Sequence, residues 1–333
     1  MNDSVLNICQ FSTNLLEQLC EFNRRIYPQK LIPVQNYLDF FLSKSTTEKD
    51  SFIVLKDDED NILGQILASS MSYFYQQTRV ETVWLFDLIV DERLRKSAWG
   101  IDLLLKCMEL HPMSCSTGSG PTALPIHLKL GNSYLGDIRK YVGILNPFYL
   151  LISYKKRVIP IDKFPMSIHM KQCTYHKIGV DQLPMYEKPF NEDLFEICRD
   201  HDYLRWRYFS KLHNYVFYLR DDNISYFVLR SIDIKGFRVM ELVDCRCKNT
   251  ETEFEEIYQV AAKVTRKVGL PVLVCGSSLK TLDSVLERHH FKSIGRPRPI
   301  LGFLKCKSRM EDIENRNFCF VTFADSDGET NWI

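Results

Sequence analysis

The stretch Trp84–Ile101, WLFDLIVDERLRKSAWGI, holds residues whose types and spacing suit the capture of an anion. Arg95 and Lys96 bring two positive charges, Ser97 and Ala98 are small, and Gly100 has no side chain. An apolar, β-branched and aromatic run precedes them. Apolar residues at helical spacing follow, so the local reading is strand, basic loop, helix. A helix N-terminus entered through small residues offers backbone N–H groups and a positive dipole end, which together suit a pyrophosphate. Asp87 lies inside the apolar strand, where a charge is costly unless it is paired or used. It reads either as a group lining a cleft or as the buried partner of an arginine. Glu81 and Glu92 are the other carboxylates nearby.

The segment resembles the central motif of the GNAT acyltransferase superfamily, Arg/Gln-x-x-Gly-x-Gly/Ala, whose loop grips the pyrophosphate of acetyl-CoA. Arg95 and Gly100 match it, and Ala98 stands where the family prefers glycine. The resemblance implies acetyl-CoA as cofactor, held by Arg95, Lys96, Ser97, Ala98, Trp99, Gly100 and Ile101. It also implies that backbone at Leu88, Ile89 and Val90 lies beside the thioester and stabilises its carbonyl oxygen. Downstream, the family has Asn-x-x-Ala-x-x-x-Tyr-x-x-Leu-Gly-Phe. Gly120 occupies the asparagine position, Ala123 the alanine, Leu130-Gly131 the closing pair, and Asn132 replaces the phenylalanine. His127 stands at the tyrosine, which in the family often acts as general acid towards the CoA thiolate. A histidine can donate that proton near neutral pH. The plainer reading leaves His127 hydrogen-bonded on a helix face and chemically idle. An amine acceptor also needs a base, and Asp87 is the candidate.

The elements that must position these residues follow a regular order. Leu6–Leu42 reads as helical with a proline break. Ser51–Lys56 and Ile62–Tyr75 read as strands around a polar turn, and Val83–Val90 as the strand that enters the basic loop. A helix then runs to near His111, Met113–Ser116 reads as a short strand, and Ala123–Leu130 as a helix stopped at Gly131. Gly136–Tyr154 reads as the last strands of a first domain, 1–158. The junction falls in the basic, proline-bearing Lys155–Pro165.

The second part, 159–333, repeats the order. Phe195–Phe209 reads as a helix or helix-turn, Tyr215–Arg220, Ile224–Ser231 and Phe237–Asp244 as strands, and Glu251–Val268 as an amphipathic helix. Pro271–Cys275 is a strand, Lys280–Arg288 a helix, and Phe291 opens a closing strand. The expected fold is therefore α/β (α+β): two GNAT-like domains, each a mixed, mostly antiparallel sheet flanked by helices. The second lacks the basic glycine loop, having CRCKNTETEFEE after its strand, and Leu286 stands at its tyrosine position. Acidic residues there suit the helix dipole and repel a pyrophosphate. This half reads as degenerate.

Asp202–Tyr208 (DYLRWRY) resembles a segment of tandem GNAT-like proteins from bacterial surface-polysaccharide clusters, as does Phe320–Asp327 (FVTFADSD). The first reads as a packing helix in preference to a sugar or acceptor site. In the second, Asp325 and Asp327 read as a solvated acidic tail in preference to an acceptor or ion site.

Composition narrows the function. The 333 residues are 45% hydrophobic and 12% aromatic with a formal net charge of +1. That balance supports globular domains and gives no footprint for nucleic acid or a membrane surface. The start has no signal-peptide pattern and no stretch is long enough for a membrane span. Eleven cysteines without a CxxC pair read as reduced, mostly buried thiols of a cytoplasmic protein, Cys245 and Cys247 included. No metal site is expected, and His289-His290 reads as surface or packing.

The reading that results is an acetyl-CoA-dependent acyltransferase acting on an amine or hydroxyl of a small-molecule acceptor, a nucleotide-sugar or other cell-envelope precursor, by direct attack in a ternary complex. Two alternatives stand beside it. One is a non-catalytic CoA- or ligand-binding protein. The other is an aminoacyl-tRNA-dependent transferase of the peptidoglycan cross-bridge type, from which the long basic helical arm is missing.

Overall fold

The structure is a computed structural model that describes residues 5–28, 34–42, 52–75, 77–111, 113–150, 159–210, 214–304 and 319–325. The chain divides into two compact units. Unit 1 takes Met1–Ser72, Val80–Leu135 and Ile300–Arg316, and unit 2 takes Tyr73–Arg79, Gly136–Pro299 and Asn317–Ile333. The junction expected at Lys155–Pro165 falls partly on residues 151–158, outside the described residues.

Unit 1 is built from β1 (Asn7–Gln10), α1 (Leu16–Ile26), α2 (Val34–Leu42), β2 (Ile53–Lys56), β3 (Ile62–Tyr75), β4 (Thr78–Val90), α3 (Trp99–Leu110), β5 (Met113–Thr117) and α4 (Ala123–Lys129). Its strands lie in the order β1-β2-β3-β4-β5. The first pairs are antiparallel, and β4 runs parallel to β5. On the other edge of β5 lies the end of β14 (Lys292–Leu304), with Ile300–Leu304 antiparallel to Met113–Thr117. Leu103, Leu104, Cys107 and Met108 of α3 close the core over Ile53, Leu55, Ile66, Val83 and Leu85. Burial of such side chains contributes about 1.5–3 kcal/mol each, so α3 is fixed by its apolar face and its N-terminus is thereby aimed.

Unit 2 begins in β6 (Ser133–Ile144). It continues through β7 (Ser167–His169), β8 (Thr174–Lys177), β9 (Phe195–Ile197), α5 (His201–Phe209), β10 (Val216–Arg220), β11 (Tyr226–Ile234), β12 (Phe237–Arg246), α6 (Glu251–Lys267), β13 (Val272–Ser277), α7 (Lys280–Arg288) and β15 (Cys319–Phe320). The order is β6-β13-β12-β11-β10-β8-β7. All these pairs are antiparallel except β12 with β13. β15 lies parallel to β9, whose other edge takes Tyr73 and Phe74 of β3. Within each unit the strands form a mixed, mostly antiparallel array, as expected.

Two local expectations are corrected. Asn7–Gln10 lies in the stretch read as helical and is a strand, because β2 offers it a ladder from Asn7↔Lys56 to Gln10↔Ile53. Phe195–Ile197 is likewise a strand, with helix only from His201, where Asp200 caps by accepting from the Tyr203 N–H at 2.9 Å. In both, pairing with distant chain outweighs local propensity. Strand β6 pairs with β13, from Val272↔Ile144 to Ser277↔Arg139.

Candidate active site

The site candidates of unit 1 lie on β4, in the loop that follows it, and on or next to α3 and α4. Strands β4 and β5 pair only as Val83↔Ser114, Trp84↔Cys115 and Leu85↔Ser116, while β4 runs on to Val90. Beyond the last pair, Asp87 has φ +50°, a left-handed conformation within a strand. Aspartate tolerates it better than most residues, and it locally reverses the pleat. Helices α3 and α4 follow β4 and β5, so both start at the C-terminal edge of this parallel pair, where open α/β sheets bind ligands.

Asp87 is held from the N-terminal helices. The Tyr27 hydroxyl donates to Oδ1 at 3.0 Å and the Tyr37 hydroxyl to Oδ2 at 2.9 Å. Tyr37 is buried, and Phe41 beside it packs on Phe86 of β4 with centroids 4.3 Å apart. Sequence reading missed both tyrosines, which lie 60 and 50 positions away.

The basic loop is anchored at its start by Asp91. Its N–H donates to the Leu63 carbonyl at 2.7 Å, and its buried carboxylate accepts from the Arg93 N–H and Nε and pairs with Arg25 at 3.0 Å. The Arg93 hydrogen bond foremost holds this carboxyl below its usual range. Ser97 donates to the Leu94 carbonyl at 2.6 Å and lies 3.4 Å from the Trp99 N–H. Among the described residues, no carbonyl or side chain accepts from the N–H groups of Lys96, Ala98 or Gly100. Arg95 and Lys96 are exposed beside them.

Glycine at 100 is not demanded by packing. A Cβ there would meet only Val90 Cγ1, at 3.9 Å, and one at Gly120 would meet nothing within 4 Å. The space over the first turn of α3 is thus open, and a side chain would fill it. Free N–H donors, two cations and a bare first turn fit a pyrophosphate group.

His127 lies in α4, only 6% exposed. Burial foremost pulls its pKa below the ordinary value, with Asn132 acting in the opposite sense, so the neutral imidazole is favoured. No partner for Nδ1 stands among the described residues. Asn132 donates its N–H and Nδ2 to the His127 carbonyl, at 3.0 and 3.1 Å, and fixes the end of the helix. Leu88, Ile89 and Val90 are half-buried, with Leu88 and Val90 packed on the core. Ala123 opens α4, its N–H on the Gly120 carbonyl at 3.1 Å.

The same edge of unit 2 is built differently. Thr250 caps α6 by accepting from the Glu253 N–H at 3.3 Å, and Glu251 and Glu253 fill the first turn. Leu286 is buried in α7. His289 stacks on Tyr258 with centroids 4.1 Å apart and pairs with Glu255.

No protein-family model matches this chain. No curated protein matches it in sequence. Solved structures do match in shape. A probable N-acyltransferase from Enterococcus faecalis superposes with TM-score 0.61 at 13% identity, over 92% of this chain and 75% of that one. The N-myristoyltransferase of Saccharomyces cerevisiae with bound myristoyl-CoA gives 0.60 at 12%, over 96% and 85%. A GCN5-related N-acetyltransferase from Anabaena variabilis gives 0.59 at 11%, over 91% and 73%. The chain has the GNAT fold. At these identities the likeness is one of fold. Among the described residues, no helix is long and apolar enough to cross a membrane.

Asp325 corrects one more expectation. Asp325, read as part of a solvated tail, is 0% exposed and pairs with Arg199 at 2.8 Å, while Asp327 lies outside the described residues. Tyr203, Arg207 and Tyr208 of α5 are buried, which suits the packing helix.

Proposed function

We propose that the chain transfers an acyl group from a CoA thioester, acetyl-CoA in the first instance, to an amine or hydroxyl of a small acceptor by direct attack. The observation that carries this reading is the open first turn of α3, with free N–H groups at Lys96, Ala98 and Gly100 and bare space over Gly100. Those donors, with Arg95 and Lys96, would hold the pyrophosphate. Acyl-CoA, when bound, supplies the activated thioester. Backbone at Leu88–Val90, turned by the left-handed residue before it, would donate to the carbonyl oxygen as charge develops there.

His127, neutral when buried, would take the proton of the attacking nitrogen or oxygen and return it to the departing sulfur. Asp87, its two oxygens already accepting from tyrosines, is assigned to holding the strand rather than to proton transfer. A nucleotide-linked sugar or another cell-envelope precursor is the acceptor class we propose, on the sequence likeness of Asp202–Tyr208. We place the protein in the cytoplasm, where acyl-CoA is supplied.

Thermal unfolding with and without acetyl-CoA tests the reading, repeated for Gly100→Glu. The wild type should melt higher with acetyl-CoA and the variant should not, since a ligand that binds only the folded state stabilises it. A wild type unmoved at saturating acetyl-CoA overturns it.

A further inference from the structure

In unit 2 the place where the parallel strands part is filled by the chain itself. Strands β12 and β13 pair as Met240↔Leu273, Glu241↔Val274 and Leu242↔Cys275 and then separate. Asp244, next but one on β12, accepts from the Thr322 hydroxyl at 3.0 Å. Gly276, next on β13, faces the Phe323 ring so closely that a Cβ would stand 2.7 Å from it. Residues 321–325 therefore touch both strands just past their last pair. Phe323, Ala324 and Asp325 are fully or almost fully buried.

The contacts are those of a peptide in a binding site. Ser278 Oγ accepts from the Val321 N–H at 2.9 Å, and Arg207 Nε donates to the Ala324 carbonyl at 2.6 Å. Asp325 takes the Arg199 guanidinium at 2.8 Å and the Tyr203 hydroxyl at 2.9 Å. Arg199 also holds Asp244, at 3.0 Å, and stands 5.2 Å from the Phe320 ring. Phe323–Asp325 form a turn of 3-10 helix. Backbone groups on and just before it are read at two points, its aromatic side chain at a third and its carboxylate at a fourth.

We infer that the parting of β12 and β13 is a peptide-binding slot for an aromatic-x-Asp segment, and that its ligand is residues 321–325 of this chain. Glycine at 276 is the specificity element, because any side chain there excludes the ring. Under the acyl-CoA reading, this ligand occupies in unit 2 the place that the thioester takes in unit 1. The slot itself does not depend on that reading.

The test uses a fluorescein-labelled peptide copying residues 317–328 and the full chain carrying Phe323→Ala with Asp325→Ala. In the wild type the tethered segment is present at an effective concentration of about millimolar, so the free peptide should be excluded. In the variant, anisotropy should rise saturably with an affinity at least tenfold tighter than for the wild type. A peptide carrying the same two substitutions should not bind. Equal binding of both peptides, or none to a folded variant, overturns the inference. If the variant does not fold, hydrogen exchange on the wild type decides. Amides of residues 321–325 should exchange at least a hundredfold more slowly than in the free peptide, and faster again in Gly276→Ala. Exchange at the free-peptide rate overturns it. The acetyl-CoA melting shift is read separately on the same wild type, so failure of the slot and failure of the acyltransferase reading are distinct results.

Discussion

Asp87 and Asp244 occupy the same place in their strands. Each lies two residues past the last parallel pair, Leu85↔Ser116 in one unit and Leu242↔Cys275 in the other. Each accepts from two tyrosine hydroxyls: Tyr27 and Tyr37 for Asp87, Tyr208 and Tyr226 for Asp244. Each also marks an irregularity, since β12 steps from Leu242 to Asp244 against Leu229 and Val228 of β11, and Asp87 has its positive φ. Unit 2 keeps this arrangement without the basic glycine loop. A carboxylate clamped by tyrosines is therefore explained by holding a bulged strand open.

Substitution at Asp87 separates the backbone and side-chain parts of that role. Asp87→Ala strands two hydroxyls and puts alanine in the left-handed region, and should cost about 2–4 kcal/mol in urea unfolding. Asp87→Gly loses the same hydrogen bonds and relieves the backbone, so it should recover about 1 kcal/mol. Equal costs for the two would remove the backbone from the explanation.

Charge at the loop mouth should show in ligand affinity and its salt dependence. Arg95→Gln and Lys96→Gln should each weaken acetyl-CoA about two- to fivefold at low salt, because exposed pairs are worth about 1 kcal/mol or less. Above roughly 0.5 M salt the difference should shrink with the screening length. Isothermal titration at two ionic strengths checks both.

His127 predicts a particular acid response. Its folded pKa is lowered by burial, so the unfolded chain binds the proton more readily. Its contribution to stability is then fully present above the unfolded value of about 6.5 and is lost as pH falls from there through the folded pKa. His127→Asn should flatten the difference in unfolding free energy between pH 7.5 and 5.5 relative to the wild type. A parallel pH profile in the two proteins would exclude His127 as its source.

The buried triad of unit 2 has an asymmetric response. Arg199→Leu leaves Asp244 and Asp325 facing each other without their cation and should cost about 3–5 kcal/mol. Asp325→Asn should cost much less at pH 7. Burial foremost raises the Asp325 pKa, while Asp244, with Arg199 opposing its burial, is lowered. A group so raised stabilises fully below its unfolded pKa and loses that contribution as pH rises through the folded value. The advantage of Asp325→Asn over Arg199→Leu should therefore widen from pH 4 to pH 7 in denaturant titrations.

Much of the framework was legible because it rests on local periodicity. Ile62–Tyr75 and Lys280–Arg288 begin and end where expected, and the turn from β4 into α3 follows from its small and basic residues. What was not legible depends on distant partners. Asn7–Gln10 carries a helix-compatible pattern and becomes a strand only because β2 lies beside it. Asp87 showed as a charge in an apolar run, with nothing nearby to name Tyr27 or Tyr37. Asp325 stands among polar residues in the sequence, and the partners that hold it in the interior, Arg199 and Tyr203, lie 126 and 122 positions away.

The pairing of β5 with Ile300–Leu304 sets a timetable for the ribosome. Strand β5 is complete at residue 117, but its partner is made only from residue 300 onward, 183 positions later. At bacterial or eukaryotic elongation rates of about 5–20 residues per second, that strand edge waits roughly ten to forty seconds. During that interval it is open to chaperones or to a neighbouring nascent chain. Codon choice across residues 118–300 thus becomes a determinant of how much of this protein reaches its native state.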